Sequence, residues 1–157
     1  MQANIIVDCE RMKYPHTGLY YFCKHLSESL IEQQPPGPYR PAFYIRPSEK
    51  GFLPPGAEYF SQNWWHKIYH PIASNFKVWH CTYQGSNYYP TTQKIKKVLT
   101  IHDLNFLYDV SKNAESKKKY LKKTQAMIDR SDQVAVISEF THQCIKENLD
   151  ISNVPVE

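Results

Sequence analysis

Apolar residues along this chain fall alternately into short continuous bursts and into longer stretches with helical spacing. The first burst, ANIIVD (Ala3–Asp8), is brief, β-branched and ended by a carboxylate. That pattern predicts a buried strand of a parallel sheet. Beyond the polar loop CERMKYPHTG, Leu19, Phe22, Cys23, Leu26, Leu30 and Ile31 recur on one helical face. They predict a helix over Leu19–Gln33, stopped by the proline cluster QQPPGPYRP. PAFYIR (Pro41–Arg46), FKVWHC (Phe76–Cys81), KVLTI (Lys97–Ile101) and QVAVI (Gln133–Ile137) are four further bursts, each read as a strand.

Between these bursts the pattern changes. Pro47–Asn75, rich in prolines and aromatics, lacks a clear pattern and reads as a short helix or an irregular excursion around Trp64–Tyr69. The tyrosine-rich segment Thr82–Gln93 reads as a polar loop. NAESKKKYLKKTQAMID (Asn113–Asp129) is a helix whose apolar side is Tyr120, Leu121, Met127 and Ile128. A last helix runs over Glu139–Leu149, with Ser138 as N-cap and Glu139 beside the positive end of the helix dipole.

Strands alternating with helices predict an α/β fold, a Rossmann-like three-layer domain with a mostly parallel sheet and helices on both faces. The 157 residues suit one such domain. Ligands of these sheets bind beyond the carboxyl ends of the strands. The rule draws attention to Asp8, the Thr17–Gly18 loop, His80, His102–Asp103 and Ser138–Glu139.

Composition narrows the classes. With 41% apolar and 22% charged residues the chain is globular rather than disordered. A net charge of +4 tolerates anionic partners without demanding nucleic acid, and nothing else in the chain supports nucleic acid. Four widely spaced cysteines, Cys9, Cys23, Cys81 and Cys144, read as reduced thiols of a cytosolic protein. The N-terminus does not resemble a signal peptide, and no segment is apolar enough to span a membrane.

Locally, each candidate site has two readings. Thr17–Gly18 offers backbone N–H groups to an anion, or supplies a tight turn into the helix. Neither a dinucleotide fingerprint nor a P-loop is present. His102–Asp103 is an orienting pair at a strand end, or a loop satisfied by its own backbone. A metal pair His66/His70, or His80 with His102, lacks any recognised ligand motif. Ser138 lacks the glycine elbow of a hydrolase nucleophile, and its capping role accounts for it. Lys117, Lys118, Lys119, Lys122 and Lys123 crowd two helical turns, either as a solvated face or as a seat for anionic lipid.

Taken in order, NIIVDCERMKYPHTGLYYFCKHLSESL, VWHCTYQGSNYYP, KVLTIHDLNFLYD and the segment ending DQVAVISEFTHQCIKENLDIS resemble the N-terminal half of family-4 retaining glycosyltransferases of the GT-B fold. The match is collinear from Asn4 to about Ser152. The resemblance implies two Rossmann-like halves, this one holding the acceptor and the other a nucleotide-sugar donor. It implies retention of configuration, metal independence, no cofactor, and no covalent enzyme nucleophile. It makes His102 the residue whose ring contacts the donor sugar near the transferring carbon. Thr17–Gly18 become the loop whose backbone approaches the donor phosphates, and Asp103, Ser138 and Glu139 line the cleft.

Two features depart from the family. Relatives carry a second glycine and a basic residue soon after the first, where this chain has Leu19 to Tyr21. The sequence ends at ISNVPVE, about where relatives cross into the donor-binding half. The expectation is therefore an acceptor-side domain over residues 1–157, without the donor half and with negligible transfer alone. Its acceptor would be a glycan or a lipid-linked saccharide such as a lipopolysaccharide precursor. Its location would be cytoplasmic, with the lysine-rich helix peripheral to the inner membrane face. The competing expectations are a non-catalytic α/β module binding a sugar or phosphorylated ligand, and a flavodoxin-like partner-binding domain.

Overall fold

The computed structural model describes residues 4–33, 39–68, 75–92 and 94–157. The expected contributions of Ala3, of the prolines within 34–38, and of Tyr69 and His70 lie outside these residues. Contacts divide the chain into two compact units, Met1–Thr82 with Ser86–Lys96, and Tyr83–Gly85 with Lys97–Glu157.

In the first unit, β1 (Ile5–Asp8) lies between β2 (Pro41–Ile45) and β4 (Val78–Cys81), and β3 (Glu58–Ser61) pairs with the far side of β2. All three pairings are parallel. Side chains alternate between the two faces of a strand. Ile5, Val7 and Cys9 therefore share one face with Phe43 and Ile45, and this face packs against α1 (Gly18–Glu32). Tyr20 and Cys23 are the buried contacts of α1, with Phe22, Leu26, Leu30 and Ile31 partly buried beside them. The opposite face presents Ile6, Tyr44 and Trp79, all fully buried, with the Tyr44 and Trp79 rings 5.3 Å apart.

Helix α1 starts where Thr17 Oγ1 accepts the Tyr20 N–H at 3.2 Å, one of the orphan donors of a first turn. The chain enters that turn through His16, which holds a left-handed φ of 65°.

The segment Pro47–Asn75 differs from its expected form. It contains β3, which the sequence reading missed, and short 3-10 turns over Pro47–Phe52 and Trp64–Lys67. Gly56, at φ 81°, supplies the left-handed residue of the bend before β3. Strand β3 is exposed except at Phe60, so no apolar run announces it.

In the second unit, β5 (Lys96–Ile101) pairs in parallel with β6 (Gln133–Val136). The Lys97 N–H donates to Asp132 Oδ2 at 2.9 Å, and the Asp132 N–H donates to the Lys97 carbonyl at 2.8 Å. Beyond β6, the segment around Val156 forms a parallel bridge with Val134. Helix α2 (Ala114–Ile128) is capped by Asn113 and buries Thr124, Met127 and Ile128. Tyr120, expected on the apolar side, is 47% exposed, its ring lying beside Phe106 instead. Helix α3 (Glu139–Asn148) buries Thr141, Cys144 and Ile145. Among the described residues, no helix is long and apolar enough to cross a membrane.

Phe43 is fully enclosed between β1 and α1. Phe43→Ala should cost about 3–5 kcal/mol, the transfer free energy of the ring plus the cavity it leaves. Val110→Ala, at a fully exposed residue, should change stability by less than about 0.5 kcal/mol. Denaturant midpoints of the two variants check the contrast.

Candidate active site

The end of β1 carries the most constrained polar group of the first unit. Asp8 is 1% exposed, on the sheet face that also bears Tyr44 and Trp79. Its Oδ1 accepts the Glu10 N–H at 3.0 Å and the Gln62 amide at 3.3 Å. Its Oδ2 lies 2.6 Å from Ser86 Oγ, which stands 3.0 Å from Glu10 Oε2 and accepts the Tyr88 N–H at 3.2 Å. Glu10, itself buried, pairs through Oε1 with Lys13 Nζ at 2.7 Å. The Thr82 hydroxyl donates to the Asp8 carbonyl at 2.5 Å.

A serine hydroxyl carries one proton, so Ser86 cannot donate to both carboxylates at once. The two short oxygen contacts are both satisfied when one carboxyl holds a proton. Burial supplies the reason for Asp8 to be that one, since it pushes the pKa from 3.8 up to about 7. The Ser86 hydrogen bond pulls the other way, and the Glu10 charge adds to the rise.

In the second unit, His102 follows directly on β5 and is 9% exposed. Its N–H donates to Gln84 Oε1 at 3.2 Å, while Gln84 Nε2 donates to the Asp103 carbonyl at 2.8 Å. One amide thus clamps the peptide groups on either side of the His102–Asp103 peptide. From the other side, the Thr141 hydroxyl donates to the His102 carbonyl at 2.8 Å. Thr141 in turn gives its N–H to Ser138 Oγ at 3.2 Å, which is the N-cap of α3. The helix cap and the histidine backbone belong to one connected set of hydrogen bonds.

The other residues singled out in the sequence have more local settings. Asp103 Oδ1 accepts the Asn105 N–H at 2.9 Å, closing a turn of its own loop. Glu139 is exposed in the first turn of α3. Gly18 has open space where a Cβ would project. His80 lies one residue before the end of β4, opposite Val7 in the ladder. The ring of His66 bonds to the Tyr44 hydroxyl at 2.6 Å, and its suggested metal partner His70 lies outside the described residues. Glu10, Gln62, Ser86, Gln84 and Thr141 were not singled out from sequence. Asp8–Cys–Glu10, two carboxylates flanking a strand end, was the available signal for the first of these.

No protein-family model matches the chain, and no curated protein matches it in sequence. Among solved structures, the chain is similar to a sucrose-phosphate synthase from Thermosynechococcus elongatus, with a TM-score of 0.66 at 12% identity. The likeness covers 99% of this chain and 47% of that one, so the chain spans about half the length of the solved structure. What is shared is the fold, the Rossmann-like α/β arrangement with parallel strands expected for one half of the GT-B architecture.

The Asp8 setting predicts a pH signature. The folded carboxyl keeps its proton to about pH 7, whereas the unfolded one releases it near the ordinary 3.8. Between those values the folded state binds more protons, so Asp8 makes stability fall as pH rises, by at most about 1.4 kcal/mol per pH unit. Asp8→Asn removes this slope. Urea unfolding across that range should show the variant gaining on the wild type as pH rises, then holding level above neutrality. A constant difference would mean that Asp8 does not titrate in this window.

Proposed function

We propose that this chain is the acceptor-side half of a retaining glycosyltransferase, moving a sugar from a nucleotide-sugar donor to a glycan or lipid-linked acceptor. The observation that carries the reading is the double clamp on His102. Gln84 holds the backbone of residues 102 and 103 from one side, and Thr141 holds the His102 carbonyl from the other. A backbone fixed at the end of a buried parallel strand gives the histidine a defined point of attachment before substrate arrives, so less ordering remains to oppose the reaction. The shared fold supports the same reading.

In this account His102 contacts the sugar near the transferring carbon. In the first unit, taken by itself, the first N–H groups of α1, beyond Thr17 and Gly18, suit the negative charge of a phosphate. Asp103, Ser138 and Glu139 shape the loops around the site, Asp103 through its turn and Ser138 through its cap. Charge developing on the leaving phosphate is met by such fixed donors, with no resident metal, cofactor or covalent protein nucleophile in the proposed chemistry.

Lipid-linked acceptors fit the basic side of α2. Of its five lysines, Lys117 donates to the Leu107 carbonyl and Lys123 to that of Gly85. Lys118, Lys119 and Lys122 are exposed. They are the side chains proposed to meet anionic headgroups on the cytoplasmic membrane face.

His102→Ala, made in the protein that carries this chain, should lower sugar transfer by about a hundredfold or more, as loss of a positioned transition-state contact does. Its circular dichroism should keep the wild-type shape, because the Gln84 and Thr141 hydrogen bonds are made to the backbone. Release of nucleoside diphosphate from a panel of UDP-, GDP- and ADP-sugars is the readout. Unchanged turnover would remove His102 from the reaction.

A further inference from the structure

Two tryptophans of the first unit have no part in the account so far. Trp64 and Trp65 stand in the 3-10 turn Trp64–Lys67, 57% and 58% exposed, with ring centroids 3.7 Å apart and planes 27° from parallel. Large aromatics left in water at this cost usually have a partner. The third tryptophan, Trp79, is fully buried.

The turn that bears them is fixed rather than loose. The Gln62 N–H donates to the Ile45 carbonyl at 2.6 Å, tying the end of β3 to the end of β2. Asn63 caps the turn through the Trp65 N–H, and His66 Nδ1 bonds to the Tyr44 hydroxyl at 2.6 Å. Tyr44 is wedged against the rings of Trp79 and Tyr88, and Lys67 Nζ stands 5.8 Å over the Tyr88 ring. The paired indoles are thus held at the carboxyl ends of β2 and β3, the side of a parallel sheet where ligands bind.

We propose that Trp64 and Trp65 form a stacking platform for a pyranose ring of the acceptor saccharide. The proposal rests on the glycosyl-transfer reading for its choice of ligand. A pyranose has an apolar C–H face and a rim of hydroxyls. An outer face of the stacked indoles matches the sugar face, the second indole backing the first, while the Asn63 and Lys67 side chains beside the stack offer polar groups to the rim. Few polar groups placed around an apolar surface are what fix orientation in small-molecule sites. Pre-ordering of the turn limits the entropy lost on binding. A membrane anchor needs aromatic surface without that rigidity, so the constraint favours a shaped ligand. Ile68, 73% exposed, is the neighbour that would argue for lipid, and the test includes that arm.

The test follows the three indole N–H signals of nitrogen-15-labelled protein during titration. The probes are maltotriose, cellotriose, mannotriose and chitotriose, and separately vesicles of phosphatidylcholine with phosphatidylglycerol. At least one saccharide should shift the Trp64 and Trp65 signals saturably and leave Trp79 in place. Trp64→Ala and Trp65→Ala should each weaken that binding about tenfold, with Trp64→Phe keeping most of it. The Trp79 signal reports that the variants remain folded.

Two results would overturn the platform. One is a panel in which no saccharide moves either exposed indole, whether or not vesicles do. The other is sugar transfer by the intact protein that is indifferent to both alanine variants. Saturable saccharide binding in a protein that transfers no sugar would support the platform and sink the transfer reading instead.

Discussion

Asp8 closes β1 with a carboxyl group that water does not reach, and much of the first unit is arranged around satisfying it. An unpaired carboxylate in such a place would cost several kcal/mol. Here it is met by the Glu10 N–H, the Gln62 amide and the Ser86 hydroxyl, which come from three separate segments of the chain. Each of those segments is thereby drawn to the carboxyl end of the central strand. Glu10 brings the turn that carries Lys13, Gln62 brings the turn with the paired tryptophans, and Ser86 brings Tyr88 against Tyr44. The two short contacts of the Ser86 hydroxyl with Asp8 and Glu10 are both satisfied when Asp8 is protonated.

The second unit solves a similar problem by another route. The end of β5 is held by hydrogen bonds to its peptide groups, from Gln84 and Thr141. Gln84 and Thr141 both act on the backbone of residues 102 and 103.

Among the described residues, five of six strands and all three α-helices were legible in the sequence, for a physical reason. Buried parallel strands such as IIVD and KKVLTI must be continuous apolar runs, and α1 must show its stripe to Phe43 and Ile45. Strand β3 escaped because an edge strand with only Phe60 half-buried needs no such run. Tyr120 was misplaced because helical spacing cannot tell a core contact from a ring lying along a neighbouring turn. Ser138 as a cap was readable from its position alone, and the structure bears that out. Asp8 and His102 were visible as strand ends, yet their partners were not. Ser86 lies 78 residues from Asp8 and Gln84 lies 18 from His102, and no local pattern announces a hydrogen bond across such distances.

The central claim is that the clamped histidine faces the sugar being transferred. It is tested most directly by a crystal structure of the protein carrying this chain, bound to a non-transferable nucleotide-sugar whose ring oxygen is replaced by carbon. The account predicts the sugar seated against His102, with the imidazole within hydrogen-bond distance of a sugar hydroxyl and the Gln84 and Thr141 clamps unchanged. A sugar bound away from His102, or a His102 ring turned wholly into protein contacts in the complex, would contradict it.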